Sequence, residues 1–209
     1  AQGMCDRVTL PGGQFCPTYP GNRDKTKGCD MADPKLLTLS GSLRKGSYNR
    51  MLLALAAEAF GPATVTEGDL DLPLYNGDLE EAEGVPEKVQ HLVQQIKDAD
   101  AIVVGAPEYN KGITGVLKNA LDWVSRVPGW PLKDKPTVVV SASAGRTGGE
   151  TAQFMTLSCL TQHQARLIPG TAVLIAGAMN AFDEDGRLKD ETSRKLLTKR
   201  MEKLRAEVV

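Results

Sequence analysis

From Met31 onward, short apolar runs alternate with longer amphipathic stretches, and few architectures accommodate that pattern. A continuous apolar run of about five residues needs both of its faces covered, whereas an amphipathic stretch offers one apolar face at helical spacing. Parallel strands joined by crossover helices satisfy both demands. The first run, Lys35 to Ser40, reads as a strand. A helix is predicted from about Ser47 to Phe60, with Met51, Leu52, Leu55 and Ala59 on one face and Gly61-Pro62 stopping it. A weaker strand covers Thr64 to Glu67. The helix from about Pro86 to Lys97 sets Val85, Val89, Leu92, Val93 and Ile96 at helical spacing and hands over to a buried strand, Ala101 to Gly105. The same reading gives a helix over Thr114 to Val127, a strand over Pro136 to Ala142, a helix over Gly149 to Ala165 and a last strand over Arg166 to Ala176. Leu196, Leu197, Met201 and Leu204 mark a closing helix.

No repeat, linker or low-complexity tract divides these elements, so one domain is expected over 31–209, a length sufficient for a sizeable core. The expected fold is an α/β three-layer sandwich around a five-stranded parallel sheet, with the flavodoxin-like order 2-1-3-4-5 as the most economical arrangement. Residues 1–30 differ in character: they have no period of 2 or 3.6, and they hold several Gly and Pro together with Cys5, Cys16 and Cys29. Their cysteines lack a C-x2-C knuckle and no His accompanies them, so an N-terminal extension outside the core is expected rather than a metal site.

Charge narrows the function classes. With 25 Lys+Arg against 26 Asp+Glu, the net charge is -1, and no basic stripe stands out to neutralise a nucleic-acid backbone. Apolar runs such as Leu52 to Ala57 fall well short of the roughly 20 residues that span a bilayer. The N-terminus lacks a positive start followed by an apolar stretch, which points to the cytoplasm.

In open parallel sheets ligands bind beyond the carboxyl ends of the strands, which directs attention to three loops. The first runs from Gly41 through Ser42, Arg44, Gly46, Ser47 and Tyr48 to Asn49. Its polar side chains, backbone N–H groups and the positive end of the following helix suit a phosphate. No Lys follows Gly46, so the loop is not a Walker A motif, and G-x-G-x-x-G is absent as well. The second, Pro107-Glu108-Tyr109-Asn110 continuing to Gly115, combines glycines with groups that stack and hydrogen-bond, as a planar heterocycle requires. The third, Ser143 to Gly149, is made of small residues that let a ring edge approach the backbone.

These loops, with Gly115-Val116-Leu117-Lys118-Asn119-Ala120-Leu121-Asp122-Trp123, resemble the NADPH-dependent FMN reductase family, and in particular its bacterial chromate and quinone reductase branch. The likeness runs from about Lys35 to Arg205. It implies an FMN phosphate held by Ser42, Arg44, Ser47 and Asn49, with Tyr48 in the same cofactor-binding loop. It implies further that Pro107, Glu108, Tyr109 and Asn110 line the isoalloxazine, and that Ser143 and Gly145 meet its pyrimidine or ribityl side. Family members usually carry an aromatic residue and then Pro after the Asn, whereas this chain has Lys111, Gly112, Ile113 and Thr114.

The implied activity is transfer of a hydride from NADPH or NADH to FMN and of electrons onward to quinone, chromate, ferric or similar small acceptors, with ping-pong kinetics and no catalytic side chain. Accordingly His91 and His163 read as surface or packing residues, Cys159 as a buried structural thiol, Asp183 to Asp185 as a solvated turn and Glu108 as a residue that orients its loop. Arg44, Lys45 and Arg146 are candidates to meet a 2′-phosphate. The alternatives are an FMN-binding electron carrier without nicotinamide turnover, which the near-neutral charge disfavours, and a flavin-free binding module. The resemblance further implies a homodimer or homotetramer, for which Trp123, Val127 and Trp130 are expected to extend apolar surface.

Overall fold

The computed structural model describes residues 33–209; the expected 1–30 extension, its cysteines and the Met31 boundary lie outside the described residues. The elements in chain order begin with β1 (Lys35–Ser40), α1 (Tyr48–Phe60), β2 (Thr64–Gly68), α2 (Gly77–Glu83), α3 (Glu87–Asp98), β3 (Ala101–Gly105), β4 (Glu108–Tyr109) and β5 (Gly112–Ile113). They continue with α4 (Gly115–Arg126), β6 (Pro136–Ala142), α5 (Glu150–Gln162), β7 (Arg166–Leu167), β8 (Val173–Ile175), α6 (Ala178–Ala181) and α7 (Glu191–Arg205). The main sheet has the order β2-β1-β3-β6-β7, with β8 also on β6, and every pairing in it is parallel. This is the flavodoxin-like arrangement the alternation predicts.

Alternation along the central strands feeds two cores. Leu36, Val103, Val138 and Val140 face α1 and α7, packing with Leu52, Phe60, Met201 and Leu204. Leu37, Ile102, Val104 and Val139 face α3, α4 and α5, packing with Leu92, Ile96, Leu117, Trp123 and Leu160. In α1 the fully buried face is Leu52, Leu53, Ala56 and Phe60, with the expected Met51, Leu55 and Ala59 at its partly buried margin. Among the described residues no helix is long and apolar enough to cross a membrane.

Two expectations need correction. The last strand is not continuous. Ile168 N–H still donates to Thr137 O of β6 at 3.1 Å, but Pro169 has no N–H for the ladder and Gly170 sits at φ 155, so residues 169–172 leave the sheet between β7 and β8. The buried Arg200 of α7 holds that detour, donating to the Ile168 carbonyl at 2.6 Å. Trp123, in turn, offers no surface to a partner: it is fully buried, and its Nε1 donates to the Pro73 carbonyl at 2.8 Å. Trp130 is the exposed tryptophan, at 54%.

Candidate functional site

β1, β3 and β6 end side by side, Ser40 pairing with Gly105 and Gly105 with Val140. The loops that follow them therefore converge. Between them lies a cavity of about 620 Å³, within the size range of small-molecule sites. Ser42, Arg44, Ser47, Tyr48 and Asn49 from the first loop, Pro107, Glu108, Tyr109 and Asn110 from the second, and Ser143 and Gly145 from the third all line it. The expected site residues thus stand together around one cavity.

The first loop is pinned at its root. Gly41 N–H donates to Gly105 O at 2.9 Å, and the Thr114 hydroxyl donates to Gly41 O at 2.8 Å. A Cβ at Gly41 would stand 2.8 Å from Pro107 Cδ, so the close approach requires glycine. Ser47 then caps α1 by accepting from Asn49 N–H at 3.2 Å. Among the described residues, the N–H groups of Leu43, Lys45, Gly46 and Tyr48 have no acceptor, and the first turn of α1 carries no carboxylate. The positive end of a thirteen-residue helix is thereby left open to an anion. Arg44 is fixed beside it: Nη2 donates to Gly46 O at 2.5 Å, and the guanidinium lies 5.5 Å from the Tyr48 ring centre. Tyr48 is stacked in turn on Phe182 at 5.9 Å.

Asn49 behaves differently from the phosphate contact expected of it. Its Nδ2 donates to Ala142 O at 2.8 Å, its Oδ1 accepts from Ala142 N–H at 3.0 Å, and the residue is buried. Both ends of the amide tie α1 to the end of β6. Such a residue positions the cavity wall.

The second loop is a hairpin, β4 against β5, that sequence reasoning missed. Asn110 and Lys111 take φ 50 and 62, the left-handed pair of a two-residue I′ turn. Asn followed two residues later by Gly between short extended pairs was the available signal. The Glu108 side chain is 8% exposed; Oε2 accepts from Thr151 N–H at 3.0 Å and Ala152 N–H at 3.2 Å, while Oε1 lies 3.6 Å from Lys111 Nζ. Glu108 orients its loop by capping α5, whose own N-cap, Gly149, supplies no side chain. A Cβ on Gly149 would meet Ser141 Oγ at 2.0 Å, so that crossing is closed to any other residue.

The third loop is tied to the chain after β8. Ser143 N–H donates to Ile175 O at 3.0 Å, and Gly177 N–H donates to Gly145 O at 3.2 Å. The same ties bring Met179 of α6 to the cavity, 66% exposed. Lys111, Ala142 and Ala144 complete the wall. No sequence signal pointed to Met179, since a four-residue helix carries no period. His91, His163 and Cys159 line none of it; His91 is exposed, His163 buried and Cys159 half-buried.

A parallel sheet with helices on both faces and a cavity across its strand-end loops defines a flavodoxin-like ligand-binding α/β protein. Residues 34–180 match the model of the NADPH-dependent FMN reductase family, and the chain belongs to that family. An NAD(P)H-dependent FMN reductase of Pseudomonas aeruginosa is 41% identical over 174 residues, 82% of this chain and 94% of that protein. A quinone reductase of Escherichia coli is 43% identical over 124 residues, 57% of this chain and 65% of that protein. Among solved structures, the flavoenzyme NAD(P)H:(acceptor) oxidoreductase FerB from Paracoccus denitrificans superposes with a TM-score of 0.75 at 30% identity, over 84% of this chain and 97% of that one.

Proposed function

We propose that this chain is an FMN-dependent NAD(P)H oxidoreductase that delivers electrons to quinones, with chromate and ferric chelates as further acceptors. The observation that carries the reading is the first loop: unpaired N–H groups, an open helix terminus and a positioned guanidinium at one end of a cavity large enough for a flavin nucleotide. Its donor set is that of a phosphate ester. When bound there, FMN supplies the hydride and electron chemistry. Ser42, Arg44 and the N–H groups of the loop hold its phosphate, and Ser47 and Asn49 keep the loop in that shape. Pro107, Tyr109, Asn110, Ser143 and Gly145 bound the ring system. Glu108, committed to the α5 amides, fixes the hairpin rather than exchanging protons with a substrate.

Self-association as a homodimer or homotetramer belongs to the same reading. Leu43, Tyr109, Phe154 and Met179 are exposed apolar side chains, and light scattering reads the resulting mass directly. For the activity, the test is anaerobic titration of the flavin-loaded protein with NADPH and with NADH, followed by absorbance. Bleaching of the flavin bands and their return on adding a quinone is expected. Bound flavin that neither nicotinamide bleaches would make the protein an electron carrier, and failure to bind flavin would contradict the reading outright.

A further inference from the structure

The three strand-end loops carry a local excess of positive charge. Although the net charge is -1, the three converging loops carry Arg44, Lys45, Lys111 and Arg146 against a single carboxylate, Glu108. That carboxylate is nearly buried and already accepts two N–H donors from α5. Arg44 and Lys45 flank the open end of α1, where one phosphate accounts for them. Lys111 stands on a different wall, lines the same cavity and has a side chain that is 72% exposed.

Turn chemistry does not explain a lysine there. The I′ turn asks for Asn or Gly at both central positions, and Lys111 holds φ 62 against the preference of its own backbone. Its ion pair does not explain it either: the two α5 amides already hold the Glu108 carboxylate through Oε2, and the remaining contact, Lys111 Nζ to Oε1 at 3.6 Å, is long and made by an exposed ammonium. A positive charge held at that cost, in a cavity whose first anion is already matched, calls for a second anion.

We infer that Lys111 is a specificity-determining residue that receives an anionic group of the molecule entering beside the flavin: a phosphate of the nicotinamide donor, or the charged substituent of an acceptor. This rests on the FMN-dependent reading above. The hairpin holds the ammonium over the cavity, so the charge selects among incoming molecules while electron transfer stays with the cofactor.

The test compares flavin-loaded wild type with Lys111→Asn, which removes the charge yet suits the left-handed turn, and with Lys111→Arg, which keeps the charge. Calorimetry measures NADP+ binding, and steady-state kinetics give KM for NADPH, for a neutral naphthoquinone and for its sulfonated analogue. In Lys111→Asn, an unchanged or raised melting temperature and unchanged FMN affinity are expected. Against them, NADP+ affinity falls and KM for NADPH rises about three- to tenfold, the scale of one solvent-exposed charge contact, with kcat moving less than KM. Lys111→Arg restores both. If the anion belongs instead to the acceptor, the same change falls on KM for the sulfonated quinone and spares the neutral one. Nucleotide affinity and every KM within twofold of wild type would overturn the inference while leaving the flavin reading intact. A wild type that binds no FMN would defeat the underlying reading instead.

Discussion

At Trp123 a whole indole is enclosed, its Nε1 bonded to the Pro73 carbonyl and its ring edge-on to Tyr75 at 5.0 Å. Truncating a large buried aromatic removes its apolar contact and leaves a cavity, so Trp123→Ala is expected to cost about 3–5 kcal/mol. Trp130→Ala, at an exposed loop position, is expected to change stability by less than about 0.5 kcal/mol. Urea unfolding of the two variants separates them; equal losses would return Trp123 to the surface. His163 makes a pH prediction. Burial holds its imidazole below the ordinary value of 6.5, with Asp122 pulling weakly the other way. The neutral ring is favoured in the fold, so its contribution is complete above the unfolded value and is lost as pH falls through the lower folded one. The urea midpoint of wild type should therefore drop more between about pH 7 and about pH 5 than that of His163→Gln. Parallel profiles would show the ring to be open to water.

The cap of α5 is the contact on which the cavity's shape turns at the scale of elements. Helix and hairpin are joined through one carboxylate, so Glu108→Ala exposes unsatisfied N–H groups and is expected to cost about 1–2 kcal/mol, and Glu108→Gln less, because an acceptor remains. Thermal unfolding of the pair checks this, and an Ala variant as stable as wild type would remove Glu108 from that role. The elements legible in the sequence were those with an apolar period. β1, β3, β6, α1, α3 and α4 each bury a stripe, and their predicted bounds fall within a residue or two of the observed ones. Elements held by polar contacts left no such trace. α2 buries no residue and is fastened by Asn76 at its N-cap and by Glu80, which pairs with Tyr75 and Arg126. The β4–β5 hairpin depends on turn geometry, and the break between β7 and β8 on Pro169 together with a long-range bond from Arg200.

On the scale of the whole molecule, the candidate site was readable because it obeys topology: strands that end together present their loops together, and those loops were where polar residues and glycines clustered. Roles inside the site were less readable, since a side chain's partners lie far off in sequence. Asn49 is spent on Ala142 and Glu108 on α5, two pairings no local motif announces. Arg44 carries the phosphate assignment, its guanidinium held beside the mouth of α1 by Gly46 O and the Tyr48 ring. The most direct measurement is equilibrium dialysis of FMN against wild type and Arg44→Ala. A charge-assisted contact contributes about 1.5–3 kcal/mol, which predicts affinity ten- to a hundredfold weaker in the variant with its melting temperature retained. An unchanged dissociation constant would contradict the assignment of this loop as the phosphate cradle.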